Sequence, residues 1–402
     1  MTREQYKQRM GLLTVFLGML AALAPLSTDM YLPALPFMMA DFSVGTSMIQ
    51  MTLTASMAGM AMGQIFAGPV SDEKGRRLPL LLGMVVFTAS TVCCILSSSI
   101  HLFIAFRFVQ GFSGGVGIVI ARAVARDVCK GPALTRFFSI LMLVNGIAPI
   151  LSPVIGGQIL RFFSWQGIFW LLVLIGLALA LCAFVMTETL PAQRRLSGGL
   201  LASVKSFGRL FRDRYFMGHC VMQCFAFASF FAYISGSSFV FQNVYGLSAQ
   251  AFSLIFGIIG IGLMISGALV GRLTGRIEDW RMLRTSLWQA VMGSIVLLAC
   301  FVAALPVTVV VVVLFLTIPT LAALSTSSFS MAMQAQGHQA GGASALIGFF
   351  SMISGAVMAP IVGIAGSYTA LPMGIVMVLG EVGALISFYF LIYPSHRAEC
   401  DG

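Results

Sequence analysis

The sequence predicts an all-α membrane protein, with twelve transmembrane helices in two pseudo-symmetric six-helix halves. Of its 402 residues, 59% are hydrophobic and only 9% are charged, whereas a soluble domain carries about 25% charged residues. A spanning helix needs about 20 mainly apolar residues. Twelve such stretches occur, at roughly 11–33, 47–69, 78–98, 101–121, 137–160, 165–186, 217–241, 251–271, 285–305, 309–330, 343–365 and 369–393.

The net charge of +10 indicates the orientation of the chain in a lipid bilayer and not a nucleic-acid partner. Lys and Arg cluster in every second loop, as in 74–77 and 272–284, while the loops 34–46, 242–250 and 366–368 contain neither. Basic residues collect on the cytoplasmic side of membrane proteins. We therefore expect a multi-pass protein of the bacterial inner membrane with both termini in the cytoplasm.

A polar stretch at 187–215 divides the chain into an amino-terminal half, 1–186, and a carboxy-terminal half, 216–402. Within this stretch, apolar residues from Leu200 to Phe211 recur at helical spacing beside basic ones. This pattern predicts an amphipathic helix that lies on the inner membrane surface.

The two halves resemble each other in their basic loops. The segment "GPVSDEKGRR" at 68–77 is answered by "GRLTGRIEDWR" at 271–281. Such internal repeats are typical of transporters whose binding site lies between the halves at mid-membrane. The alternative is a chance likeness of two basic loops.

Signatures of enzymes, metal sites and nucleotide sites are missing. The sequence contains no H-E-x-x-H, no G-x-x-x-x-G-K-[ST] and no C-x-x-C. The glycine-rich run "GFSGGVG" at 111–117 lies within a span and indicates close helix packing. We expect neither catalytic residues nor a cofactor, and a proton gradient as the energy source.

Three charged residues fall well inside the spans: Asp29, Arg107 and Glu381. At about 1.5 Å per residue, Asp29 and Arg107 lie at similar depth in the outer half of the membrane. Burial disfavours a charged carboxylate and a nearby guanidinium favours it. We therefore hypothesise that Asp29 carries the coupling proton and that Arg107 senses its charge. A permanent contact that only locks two helices is the alternative.

Glu381 has no basic residue within a span that the sequence assigns to it. It is either a second proton or cation site, or a neutral carboxyl group hydrogen-bonded between helices.

The loop 68–77 resembles the signature of the major facilitator superfamily between spans two and three, G-x-x-x-D-x-x-G-R-[RK]. The matching residues are Gly68, Asp72, Gly75, Arg76 and Arg77. "RFVQG" at 107–111 is similar to the fourth-span motif of proton-coupled members, and "SPVIGG" at 152–157 to the fifth-span motif of exporters. "STDMYLPALP", "SWQGIFW" and "YISGSSFVFQNVYGLS" are similar to the bicyclomycin and chloramphenicol resistance (Bcr/CflA) branch of drug:proton antiporters.

The resemblance implies a gate at the inner end of the bundle. There Asp72 would pair with an arginine at the end of span four, Arg122 or Arg126, and cap a helix that starts at 341–344. A solvated loop acid is the alternative. In span five, the prolines and small residues of the motif predict either a bending or sealing element or ordinary tight packing. They are Pro149, Ser152, Pro153, Gly156 and Gly157.

Uncharged polar residues within the spans are candidates for a substrate path. They are Tyr31, Gln64, Gln110, Asn145, Gln223, Tyr233 and Ser325. An apolar cavity with few polar anchors suits weakly specific binding.

The sequence therefore predicts a monomeric, proton-driven exporter of small amphipathic compounds, drugs included. A proton symporter or facilitative uptake carrier is the alternative within transport, and a membrane receptor without transport is the alternative outside it.

Overall fold

The computed structural model describes residues 3–128, 132–195, 208, 210–273, 276–334 and 340–394. These residues form helices joined by short turns. The first half contains α1 (Arg3–Asp29), α2 (Thr46–Lys74), α3 (Arg77–Leu96), α4 (Ile100–Val128), α5 (Pro132–Phe162) and α6 (Gln166–Val185). The second half contains α7 (Arg214–Phe239), α8 (Ala249–Leu273), α9 (Asp279–Val302), α10 (Val307–Gln334), α11 (Ala340–Val362) and α12 (Leu371–Ser387).

Several helices end or break for local reasons. A 3-10 turn at Leu32–Ala34 and a short helix at Leu35–Asp41 follow α1, each with a proline near its start. Pro319 lies where α10 is interrupted, between Thr317 and Thr320, because proline cannot donate the helical hydrogen bond. The helices α7 and α12 continue into single π-helical turns.

The twelve helices confirm the predicted all-α fold. Nine segments of the described chain are long and apolar enough to cross a membrane. The apolar parts of α5 and α11 that fall in the described ranges, Gly146–Phe162 and Leu346–Val362, are shorter. The remaining helix, α2, is long enough but less apolar than these spans, since it carries Gln50, Gln64 and several hydroxyl residues.

A seam of glycines joins α2 to α4. Gly59 and Gly63 of α2 face the backbone of Phe108 and Phe112, and Gly111 and Gly115 of α4 face that of Ser56 and Met60. A side chain at any of the four would collide with the opposite backbone. The expectation that 111–117 packs helices closely is confirmed.

The two halves are hydrogen-bonded to each other at the end opposite to the basic loops, which we call the closed end. Within the described ranges, every hydrogen bond between the halves lies there. They are Gln50–Ser235, Ser47–Pro360, Thr54–Ala356, Ser238–Leu32, Gln242–Pro33 and Gln250–Gly157. The other end, which carries the loop 68–77, we call the basic end.

Most of the amphipathic helix predicted from Leu200 to Phe211 falls outside the described residues, which include 208, 210 and 211 of that stretch. The division of the chain at 187–215 stays a prediction.

Candidate functional site: charged residues buried within the helix bundle

Asp29 is the last residue of α1 and lies where the two halves meet. Its side chain is 8% exposed, and its Oδ1 accepts a hydrogen bond of 2.9 Å from the Thr28 hydroxyl. The next residue, Met30, contacts α5 at Gly156. Three residues further along, the Leu32 carbonyl accepts a hydrogen bond of 2.6 Å from the Ser238 hydroxyl of α7, in the other half. Asp29 therefore lies close in sequence to a contact between the halves.

Arg107 is completely buried within the first half. Its Nη2 donates to the Ser27 carbonyl at 2.9 Å, and its Nη1 donates to Gln110. The guanidinium lies over the rings of Tyr31, at 4.4 Å, and Phe169, at 5.7 Å. Among the residues described, no carboxylate lies within ion-pair distance of it. A buried charge without a counter-charge is costly, and such residues in a membrane protein mark function.

Asp29 and Arg107 lie at the same depth, as expected, but they do not lie side by side. Ser27 and Tyr31, which contact Arg107, are four residues apart and share one face of the chain. Asp29 stands between them in the sequence and lies on a different face of the chain. The predicted adjacency is therefore corrected, because the end of α1 turns the two charges to opposite sides. A long-range influence of Arg107 on Asp29 stays a prediction.

Glu381 lies between α12 and α7. It is 7% exposed, its carboxyl group interacts with the Ser229 hydroxyl, and its Oε2 has no partner within the described chain. Gly380 allows the two helices to approach closely at this level. The geometry agrees with a carboxyl group hydrogen-bonded between helices, and a proton-coupling role stays a prediction.

The loop motif forms a network at the basic end. Arg76 Nη1 contacts Asp72 Oδ1 at 2.5 Å, and Arg76 Nε contacts Asp127 of α4 at 3.0 Å. The expected pairing of Asp72 with Arg122 or Arg126 is not formed, since Arg76 bridges the two acids and both of those arginines are exposed.

The expected capping of a helix at 341–344 by Asp72 falls partly on residues outside the described ranges, because most side chains in that stretch are not described. The helix in question, α11, begins at Ala340. No hydrogen bond between the halves occurs at the basic end of the described chain, and the gate role stays a prediction.

Glu188 organises the same loop and was not singled out from the sequence. Its carboxylate accepts hydrogen bonds from the backbone N–H groups of Arg76, Arg77, Thr189 and Leu190, at 2.9 to 3.2 Å. Gly75, with φ of +91°, makes the turn that brings these donors together. Burial alone would raise the pKa of Glu188, but the four backbone donors outweigh it and lower the pKa below its ordinary value of 4.5.

Replacing Glu188 with glutamine is expected to lower stability by about 1 kcal/mol at neutral pH, since a charged cap of α3 is lost. Because the folded-state pKa is lowered, this contribution is present above pH 4.5 and disappears as the pH falls through the folded value. The measurement is the melting temperature of the purified protein from pH 7 to pH 4. Glu73→Gln, in the same loop and exposed, is the control; an equal effect there contradicts the assignment.

The motif of span five packs α5 against the end of α1 and against α8, at the closed end. Gly156 lies against the Met30 carbonyl, Gly157 lies against Ser253 of α8, and the Gly157 carbonyl accepts from Gln250 at 3.0 Å. Despite Pro149 and Pro153, α5 is one continuous helix. Ser152 is buried and bonded to the backbone of its own helix. Of the predicted roles, this geometry favours packing and sealing.

The candidates for a substrate path divide into two groups. Tyr31, Gln110, Gln223 and Tyr233 are buried in the packing of this closed-end arrangement. Three of them form hydrogen bonds with neighbouring side chains, as in the Tyr31–Thr52 contact of 3.1 Å and the Gln223–Ser328 bond of 3.4 Å. The hydroxyl group of Tyr233 has no hydrogen-bond partner among the described residues. Gln64 and Ser325 are partly exposed. The side chain of Asn145 lies outside the described residues.

Twelve helices in two halves, with a few charged side chains buried among them, are typical of a multi-pass membrane carrier of small solutes. A sequence profile of the Major Facilitator Superfamily matches residues 17–360, and the chain belongs to this family. It is a transporter and not an enzyme.

Two curated relatives match nearly the whole chain, and a third matches about three fifths of it. An uncharacterized MFS-type transporter of Bacillus subtilis, YdgK, is 41% identical over 96% of each chain. A bicyclomycin resistance protein homolog of Haemophilus influenzae is 31% identical over 93% of this chain and 94% of its own. The multidrug resistance protein MdtL of Escherichia coli is 29% identical over 61% and 63%.

Solved structures show the same fold at low sequence identity. A bacterial homolog of the human lysosomal transporter Spinster superimposes with a TM-score of 0.73 at 14% identity, over 96% of this chain and 97% of that one. A D-xylose-proton symporter superimposes with a TM-score of 0.71 at 14% identity, over 94% and 98%.

Proposed function

We propose that the protein exports small amphipathic compounds, drugs included, across a bacterial inner membrane in exchange for protons. The observation that carries the proposal is Asp29, a buried acid that forms no ion pair within the described part of the chain. The names of two relatives, a bicyclomycin resistance protein homolog and a multidrug resistance protein, support drugs as the substrate class.

A cluster of aromatic rings in the second half suits such compounds. The rings belong to α7 and α8: Phe230 and Phe231 are 5.7 Å apart, and Tyr233 is stacked on Phe256 at 5.3 Å. Rings that accept flat apolar groups, together with one acid, bind amphipathic molecules without demanding one shape.

Exchange follows if the halves rock about the interface between them. With the basic end on the cytoplasmic side, the structure corresponds to a carrier closed towards the outside. Asp29 would release its proton to the cytoplasm in this state, and the compound would bind in its place. Once the closed end opens, a proton from outside would neutralise Asp29 and the compound would leave.

Uptake by proton symport is the rival, and the direction of proton movement separates the two. In everted vesicles that acidify their interior, adding a transported drug to an exporter of this kind should dissipate the pH gradient and load the vesicle with drug. Vesicles without the protein are the control. Drug accumulation that ignores a protonophore, or drug driven outwards by the gradient, would contradict proton-coupled export.

A further inference from the structure

We propose that the segment 272–284, which ends α8 and begins α9, binds the head group of an anionic phospholipid while the acyl chains lie along the two helices. We call it the arginine segment, because it carries four arginines at the basic end. They are Arg272, Arg276, Arg281 and Arg284. The inference adds a binding site to the second half and does not depend on the proposed transport activity.

Both helices present a row of exposed apolar side chains that leads towards the arginine segment. The members of each row recur at helical spacing and are about half exposed. The row on α8 consists of Leu254, Ile258, Ile261, Ile265 and Leu269. The row on α9 consists of Trp288, Met292 and Ile295. Residues at this spacing share one face of a helix. Apolar rows on the outside of a membrane bundle face the acyl chains, which are as apolar as the side chains themselves.

Arginines continue the two rows at the basic end. Arg272 lies three residues after Leu269, and Arg276 follows four residues later in the turn after α8. Arg284 lies four residues before Trp288 on α9. Arg272 and Arg276 are exposed, and Arg284 is partly exposed. Their guanidinium groups therefore stand where the acyl-chain surface ends, which is the level of the lipid head groups.

A tryptophan fixes the start of α9 at this level. The Trp280 indole donates to Glu278 Oε2 at 2.9 Å, and Arg281 pairs with the same carboxylate oxygen at 2.7 Å. The guanidinium of Arg284 lies over the Trp280 ring at 4.8 Å. Tryptophan is enriched at the boundary between membrane and water. The contact with its ring therefore holds Arg284 in place at the head-group level.

The acids of the segment leave three of its four arginines without a counter-charge. Glu278 is taken by Arg281, and Asp279 lies in the first turn of α9, where an acid complements the start of a helix. The other three arginines form no ion pair within the described part of the chain. A phosphodiester supplies the charge and the acceptor oxygens that guanidinium groups bind. Basic clusters on the cytoplasmic side of membrane proteins attract anionic lipids in this way.

The corresponding loop of the first half compensates its charge within the protein. There Arg76 is buried and pairs with both Asp72 and Asp127. When the two halves are aligned at their basic loops, Gly275 and Ser330 stand at the positions of these two acids. The second half thus carries arginines without the acids that neutralise them in the first. Because apolar rows flank the segment, the missing counter-charge is assigned to a lipid and not to a soluble anion.

Lipid binding to the purified protein tests the site. The protein in detergent is mixed with phosphatidylglycerol or with phosphatidylethanolamine that carries the same acyl chains, and native mass spectrometry measures the bound fraction. The wild type should bind phosphatidylglycerol about tenfold more tightly. The double variant Arg276→Gln/Arg284→Gln should lose about fivefold in affinity for each arginine removed, and with it most of the preference for phosphatidylglycerol.

Arg161→Gln is the matched control, because Arg161 is an exposed arginine beside the ring of Phe162 at the closed end. It should leave the affinity for phosphatidylglycerol unchanged. Equal binding of the two lipids by the wild type overturns the proposal, and so does wild-type affinity in the double variant. Inorganic phosphate that displaces phosphatidylglycerol as readily as the lipid itself does would show a site for soluble anions and overturn the assignment to lipid.

A salt titration of the wild type keeps the test independent of the variants. If the double variant does not fold, added sodium chloride must still weaken the binding of phosphatidylglycerol and leave that of phosphatidylethanolamine nearly unchanged, because salt screens exposed charges. Binding of phosphatidylglycerol that ignores salt overturns the proposal.

Discussion

Vesicles that contain the Asp29→Asn variant are expected to show drug-driven proton movement no greater than vesicles without protein. Asparagine keeps the size of the side chain and an oxygen that accepts the bond from Thr28, so the fold should survive. It cannot bind or release a proton, however, and the exchange loses its energy source. Drug-for-drug counterflow, which needs no proton, should continue. The measurement is fluorescence of a trapped pH dye upon drug addition.

Asp41→Asn is the matched control for this prediction. Asp41 is an acid at the same end of the bundle, and its Oδ2 accepts a bond of 2.7 Å from the Trp165 indole. The same substitution there should leave proton movement intact. Coupling that persists in Asp29→Asn but disappears in Glu381→Gln would transfer the role to the carboxyl group of α12.

The helices could be predicted from the sequence because a lipid environment makes apolar length a strong signal. Apolar length is the weakest signal for α2, because this helix carries polar side chains such as Gln50. The amide group of Gln50 donates a hydrogen bond to the Ser235 carbonyl in the other half. The interruption of α10 at Pro319 and the π-helical turns after α7 and α12 depend on local packing, which an apolar run does not reveal.

The depth of the buried charges could also be predicted, whereas the direction in which they point could not. Counting residues places Asp29 and Arg107 at one level. The turn that follows Asp29 decides that the arginine contacts Ser27 and Tyr31 instead.

The role of Glu188 could not be predicted either, because the groups that it binds are far away in the sequence. Its carboxylate binds backbone groups of Arg76 and Arg77, which are 112 and 111 residues away. Nothing in the spacing of a single sequence reports that contact.

Gly111→Ala is expected to destabilise the protein strongly, although it adds only one methyl group. The new Cβ would collide with the Ser56 carbonyl, which belongs to the backbone of α2 and cannot rotate away. Overpacking of this kind costs about 1–3 kcal/mol. The glycines of α2 and α4 interlock, so a shift of the helices that removes the clash at one position would break the packing at the other three.

Gly114→Ala, three residues further along α4, makes the same chemical change where the nearest atom, on Phe87, is 3.9 Å away. It should be neutral, since alanine favours the helix more than glycine does. Thermal unfolding in detergent compares the pair, and equal melting temperatures would show that the α2–α4 seam has room to spare.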